Sequence, residues 1–364
     1  MLTPPDESFT HQVAFPHAIV GSSDPSWRER YWVSLQDTTS GETVLTFGIG
    51  QYPNQDVQEA FMCLSHQGLQ HNLRLSRPLL PASDVMQVGP FSAEIVDAYR
   101  TLRFMLDDND SGVTFELDWL GRFKPFLEER HFEVSGARVT HDLVRYVQVG
   151  RGQGVIRLDG REILVEPATW WGERDHSWGL RPLRRTSDQP PVRPDWSMLL
   201  FMPLQFEQFG LHLYLFEDAE GFPTHLSCGV MDDGSSPDDD QAIAVEHDFV
   251  WDPDSATPTL VRGTLEVRFR SGRRHRFELE ALPGRAYLRG GGYGGIDGWT
   301  QGQWRDGQTA IHDVWDLSDS TRLGGWGAYS SDHLLRVRSG GETGYGIVEY
   351  MVLPTHQRYG FVRG

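Results

Sequence analysis

Residues 154–165, GVIRLDGREILV, decide the fold class. Two short apolar runs, 154–158 and 162–165, flank Asp159-Gly160, and an Asp-Gly pair supplies the positive-φ positions that a two-residue hairpin turn demands. The same grammar recurs along the chain. Alternating runs at 43–48, 114–119, 144–149, 198–205, 211–217, 242–251, 260–269, 275–279 and 346–353 are bounded by Gly, Pro, Asn or Asp, as antiparallel strands are. Residues 270–273, RSGR, form a second tight turn. Helical spacing shows only at 91–106 and at 55–67, where Val57, Phe61 and Leu64 stand three and four apart. The chain is expected to be all-β, with few short helices.

Its 364 residues exceed the roughly 250–300 at which a single hydrophobic core stops growing, so two domains are expected. Residues 184–196, RRTSDQPPVRPDW, mix prolines and charges without periodicity, as domain junctions do. The boundary is placed there, giving domains 1–186 and 187–364. A loose echo between 152–179 and 298–327, each with an Asp-Gly turn and a Gly/Trp-rich run, supports two similar halves.

An excess of 51 acidic over 33 basic residues gives a net charge of −18, which repels phosphate backbones, so nucleic acid is excluded as a partner. Cys63 and Cys228 are far apart and form neither a disulfide framework nor a thiolate metal site, which fits a reducing cytoplasm. No basic leader followed by an apolar run and no stretch near 18 apolar residues is seen, so no membrane span is expected. Among 14 histidines no H-x-x-x-H or H-x-H pair occurs, and neither metal nor cofactor is expected. The acidic run 232–240 lacks the alternate ligands of a calcium loop, and Gly290–Gly295 lacks the Lys of a phosphate loop.

Residues 170–179, WWGERDHSWG, concentrate titratable and aromatic side chains. On a strand, Trp170, Arg174, His176 and Trp178 share one face, and Trp171, Glu173, Asp175 and Ser177 the other. Asp175 and His176 enter one pocket only if a bulge near Gly172 or Gly179 re-aims one of them. Two roles fit the stretch. His176 can transfer protons in a barrel mouth beside Trp178, whose indole face stabilises a cation by about 0.5–2 kcal/mol. Alternatively Asp175 and His176 close a barrel end by hydrogen bonding, with the tryptophans as core.

Gly152-Gln153-Gly154, the Asp-Gly turn and Gly172–Gly179 with its R-D-H-S-W-G core resemble the lipocalin-like superfamily of AttH-type proteins, bacterial carotenoid 1,2-hydratases and fungal lipocalin-like Diels–Alderases. Gly344-Tyr345-Gly346-Ile347-Val348-Glu349 is similar to that group's last strand. The resemblance implies two lipocalin-like antiparallel β-barrel domains. It also implies a catalytic His-x-Trp pair, matched by His176 and Trp178, and a Tyr-x-Asp pair. Of the latter, Tyr214 is in place, Phe216 stands where the acid belongs, and Asp218 is the substitute.

The expected function is a cofactor-independent hydratase or lyase acting on an apolar, terpenoid-like substrate. Its catalytic set is His176, Asp175, Trp178, Tyr214 and Asp218, and the substrate is lined by Trp170, Trp171, Arg174, Phe216 and Trp299. Protonating an alkene carbon calls for an acid held neutral by burial, a role for Asp175, Glu173 or Asp218, and a dry aromatic wall. A cyclase or isomerase acting by confinement, and a carrier without turnover, are the alternatives.

Overall fold

The computed structural model describes residues 14–181, 196–234, 240–255, 258–319, 323, 331–353 and 355–359. Two antiparallel sheets build it, one a half-barrel and one a nearly closed barrel. The N-terminal strands are β1 (Trp27–Asp37), β2 (Val44–Tyr52), β3 (Val57–His66), β4 (Leu69–Pro78), β5 (Gln87–Val88), β6 (Phe91–Asp97) and β7 (Thr101–Leu106). They continue with β8 (Val113–Gly121), β9 (Phe126–Leu127), β10 (His131–Ser135), β11 (Arg138–Leu158), β12 (Arg161–Val165) and β13 (Trp170–Leu180). After these come β14 (Met198–Gln205), β15 (Gly210–Glu217), β16 (Pro223–Met231), β17 (Ala242–Trp251), β18 (Leu260–Phe269) and β19 (Arg274–Tyr287). The last three are β20 (Thr309–Asp316), β21 (Ser331–Ser339) and β22 (Glu342–Val352).

The first sheet runs β20-β4-β3-β2-β1-β13-β11-β8-β7-β6-β5, with β9, β10 and β12 also paired to β11. The second runs β16-β15-β14-β22-β21-β19-β18-β17. Thus β20, late in the chain, adds an edge strand to the first sheet through β4. The hairpin 154–165 forms as its sequence demands: Asp159 and Gly160 both have positive φ, and β11 pairs with β12 across them. Gly272 supplies the left-handed residue of the 270–273 turn.

Both helical expectations fail. Residues 55–67 are mostly strand β3, which is buried on both faces: Phe61 and Cys63 pack toward the second sheet, and Met62 and Leu64 into the first sheet's own core. A strand covered on both sides loses its period of two, so apolar residues three and four apart carry no helical meaning. Residues 91–106 are the β6–β7 hairpin, turned at Asp97–Thr101 with Tyr99 at positive φ. Among the described residues two 3-10 turns, Pro53–Gln55 and Leu288–Gly291, interrupt the strands.

Each sheet encloses its own apolar core, centred on Phe47, Phe104 and Phe115 in the first and on Phe206, Phe269 and Phe277 in the second. A third cluster lies between them, where Trp32, Phe61 and Val147 meet Phe201, Tyr214, Phe216 and Ile347. Gln205 of β14 crosses the gap to donate to the Gly150 carbonyl oxygen at 2.7 Å, and accepts from Arg151 at 2.8 Å. No described helix is long and apolar enough to cross a membrane. Most of the linker 184–196, residues 235–239 of the acidic run and residues 324–327 of the internal echo lie outside the described residues.

Candidate active site

Strand β13 is paired along nearly its whole length, with β1 on one side and β11 on the other, and neither ladder shifts register. It has no bulge. Gly172 and Gly179 serve close strand approach instead, since a Cβ at either position would drive into a backbone oxygen, that of Ser34 or of Asp142. Alternation therefore holds: His176 shares the face of the first sheet's core, and Asp175 points toward the second sheet. The re-aiming that would bring the two into one pocket does not occur.

Register assembles the His176 side. Tyr31 of β1 and Tyr146 of β11 stand directly beside His176, Glu29 beside Trp178, and Gln148 beside Arg174. Glu29 Oε1 lies 2.8 Å from His176 Nε2, and His176 Nδ1 lies 3.2 Å from the Tyr146 hydroxyl. Arg174 donates to that hydroxyl at 3.3 Å. Its Nε and Nη2 grip Gln148 Oε1 at 2.9 and 2.7 Å, while Gln148 is fixed in turn by the Tyr99 and Phe123 carbonyls. The Tyr31 ring stacks on His176 at 4.1 Å, and Trp178 meets His176 edgewise at 5.3 Å.

These groups open on a cleft of about 390 Å³ whose further wall includes Trp27, Ile95, Tyr99 and Leu102. Burial disfavours charge on Glu29, yet the hydrogen bond and charge of His176, helped by Gln51, outweigh it and hold the carboxyl below its ordinary range. Burial and the adjacent Tyr146 push the Tyr31 phenol up. An ionised Glu29 can only accept, so His176 presents Nε2–H to it and leaves Nδ1 for Tyr146. The result is a carboxylate–imidazole–phenol line ending beside a guanidinium in an aromatic cleft, and such a line can move a proton to or from a bound molecule.

The other face of β13 is drier. Glu173 is fully buried and accepts from Gln36 at 2.9 Å, and burial raises its pKa well above the ordinary value. Asp175 is raised by burial as well, only partly offset by Arg145, whose Nη1 is 3.9 Å away. Arg145 covers the Tyr214 ring at 4.1 Å and pairs with Glu128 at 2.8 Å. Phe216 packs edgewise on Tyr214 at 4.8 Å. Asp332 and Glu349 share a hydrogen bond in the same inter-sheet layer, both raised by burial.

The structure thus brings together His176, Trp178 and Arg174 in the cleft, and Asp175, Tyr214 and Phe216 between the sheets. Trp170 belongs to the first sheet's core, and Trp171 lies under the Arg151 guanidinium and against Tyr345. Asp218 accepts from the backbone N–H groups of Glu220 and Phe222 and so closes a turn. Trp299 sits in a separate cluster with Ile296 and Trp315. Sequence reasoning missed Glu29, Tyr31 and Tyr146. Tyr146 lay on a strand already legible, and alternation with Val144 and Gln148 was the available signal.

A family model described as a family of unknown function, DUF8625, matches residues 2–362. Among curated proteins none matches this sequence. Among solved structures the chain is similar to kievitone hydratase from Nectria haematococca, with a TM-score of 0.52 and 12% identity over 89% of this chain and 88% of that one. It is also similar to an AttH-type protein from Nitrosomonas europaea, with a TM-score of 0.53 and 13% identity over 98% and 99% of the two chains. Identities this low speak for the fold, and the fold agrees with the resemblance carried by the G-x-G and R-D-H-S-W-G motifs. The chain belongs to the DUF8625 family and has the lipocalin-like fold of AttH-type proteins and of this hydratase.

Proposed function

We propose that the protein is a hydro-lyase that adds water across, or removes it to form, a carbon–carbon double bond of an apolar, terpenoid-like small molecule in the His176 cleft, without a cofactor. The observation that carries this reading is the Glu29–His176–Tyr146 line opening on an aromatic cleft. In the hydration direction Tyr146, flanked by Arg174, gives its proton to one alkene carbon. Positive charge on the neighbouring carbon is met by the faces of Tyr99 and Trp178. Water adds there, and its released proton returns to Tyr146 through His176, so one water is consumed and the protein ends unchanged. A hydratase with the same fold is compatible with this reaction class.

The aromatic wall also favours a second reading, a cyclase or isomerase that works by holding its substrate in a reactive shape. Mutagenesis separates the two. Proton relay predicts that His176→Phe and Tyr146→Phe each lower kcat by about 10²-fold or more, while substrate affinity survives. Confinement predicts small, graded losses from both and from Trp178→Leu. Wild-type kcat in both relay variants rejects the site.

A further inference from the structure

We infer that the hairpin of β10 and β11 carries a site for one divalent transition-metal ion, with His131, Glu133 and His141 as ligands. Their potential ligand atoms all lie within 4.8 Å of one another. His131 and Glu133 stand two apart on β10 and so share a face, and β11 sets His141 directly across from Glu133. His131 Nε2 lies 2.6 Å from one oxygen of Glu133, and His141 Nδ1 lies 2.8 Å from the other. His141 Nδ1 is close without the alignment of a hydrogen bond, and His131 Nδ1 is buried with no partner among the described residues. Bonds to zinc of about 2.0–2.2 Å place tetrahedral donors about 3.4 Å apart. The three donor atoms, already within 4.8 Å of one another, therefore reach a common ion by side-chain adjustment alone.

Two imidazoles and one carboxylate suit Zn²⁺ and its first-row neighbours, whereas Mg²⁺ and Ca²⁺ prefer all-oxygen sets. Three protein ligands leave a coordination position for water or an anionic ligand. That position faces outward, because the Glu133 and His141 side chains are 28% and 19% exposed while His131 is only 5% exposed. The His131 ring is held from the other sheet: it stacks on His225 of β16 at 4.7 Å and packs on Phe216 at 5.2 Å. A bound ion would tie β10 to β11 within the first sheet, beneath their contact with β16. The His176 cleft contains none of these residues, so the inference stands apart from the proposed reaction. Ligand spacing gave no warning, since the third ligand arrives across a turn.

The test uses the full-length chain, stripped with a chelator, dialysed, and titrated with Zn²⁺ and in parallel with Mg²⁺, with retained metal counted by elemental mass spectrometry. The expected result is one Zn²⁺ held per chain and no saturable Mg²⁺ binding. Glu133→Gln and His141→Ala, checked for native circular dichroism, are each expected to weaken Zn²⁺ binding at least ~10-fold. His312→Gln, exposed on β20, is expected to leave it unchanged. A wild-type chain that holds no stoichiometric Zn²⁺ overturns the inference without recourse to any variant. So does zinc binding undiminished in folded Glu133→Gln and His141→Ala.

Discussion

At Glu29 two opposing effects meet, and their outcome sets the chemistry of the cleft. Burial resists ionisation, but a donor at 2.8 Å and a second from Gln51 keep the carboxylate charged. The charge fixes which nitrogen of His176 holds the proton and so what Tyr146 meets. Replacing Glu29 with Gln removes that constraint while keeping shape. Steady-state kinetics of Glu29→Gln should show kcat reduced by about 10²-fold with KM little changed, and an unaltered kcat would remove Glu29 from the relay. His176 and Trp178 could be found in the sequence because two residues on one strand face are neighbours in any sheet. Glu29 and Tyr31 could not, because their places depend on which strand flanks β13 and in which register; Tyr146 lay on a legible strand, and only its pairing with His176 needed the register.

At the scale of elements, the straightness of β13 explains the separation of Asp175 from His176. Gly179 holds this geometry: its φ is +125°, and a side chain there would strike the Asp142 carbonyl of β11. Gly179→Ala is expected to destabilise the fold by more than ~1 kcal/mol, measured by urea unfolding; a stability within error of wild type would show that β11 and β13 can part without cost. Most strands were legible because alternation and turn residues agree. The β6–β7 hairpin escaped notice because Tyr99 occupies its left-handed turn position, where Gly or Asn would announce a turn. β3 escaped because the second sheet covers its outer face.

Across the whole molecule, the two sheets are joined by a layer whose buried carboxyls are either paired, as Glu128 is, or raised by burial, as Glu173 and Asp332 are. Glu128, buried there against Arg145 and His212, has its carboxyl brought down to about 2 despite burial; on the inner side of the second sheet Glu217, held by His247 and His356, is likewise brought to about 2. Because these values lie below those of the unfolded chain, their stabilisation is complete above the unfolded pKa and fades as pH falls from about 4.5 toward 2. Glu173 and Asp332 are raised, so their contribution is present at low pH and fades as pH rises through their folded values. Glu128→Gln leaves Arg145 buried without its strongest partner and should cost about 3–5 kcal/mol at neutral pH. It should also flatten the loss of stability between pH 4.5 and 2. Denaturant midpoints followed across that range check both, and an acid limb as steep as wild type would contradict the assignment.

The proposed addition or removal of water in the His176 cleft through Tyr146 can be followed by isotope. Turnover of apolar, terpenoid-like alkenes in ¹⁸O-labelled water, read by mass spectrometry for the wild type, His176→Phe and Tyr146→Phe, tests it most directly. The wild-type product should carry one labelled oxygen, and each variant should form it about 10²-fold or more slowly. A product free of label, or labelled product formed equally well by both variants, would contradict it.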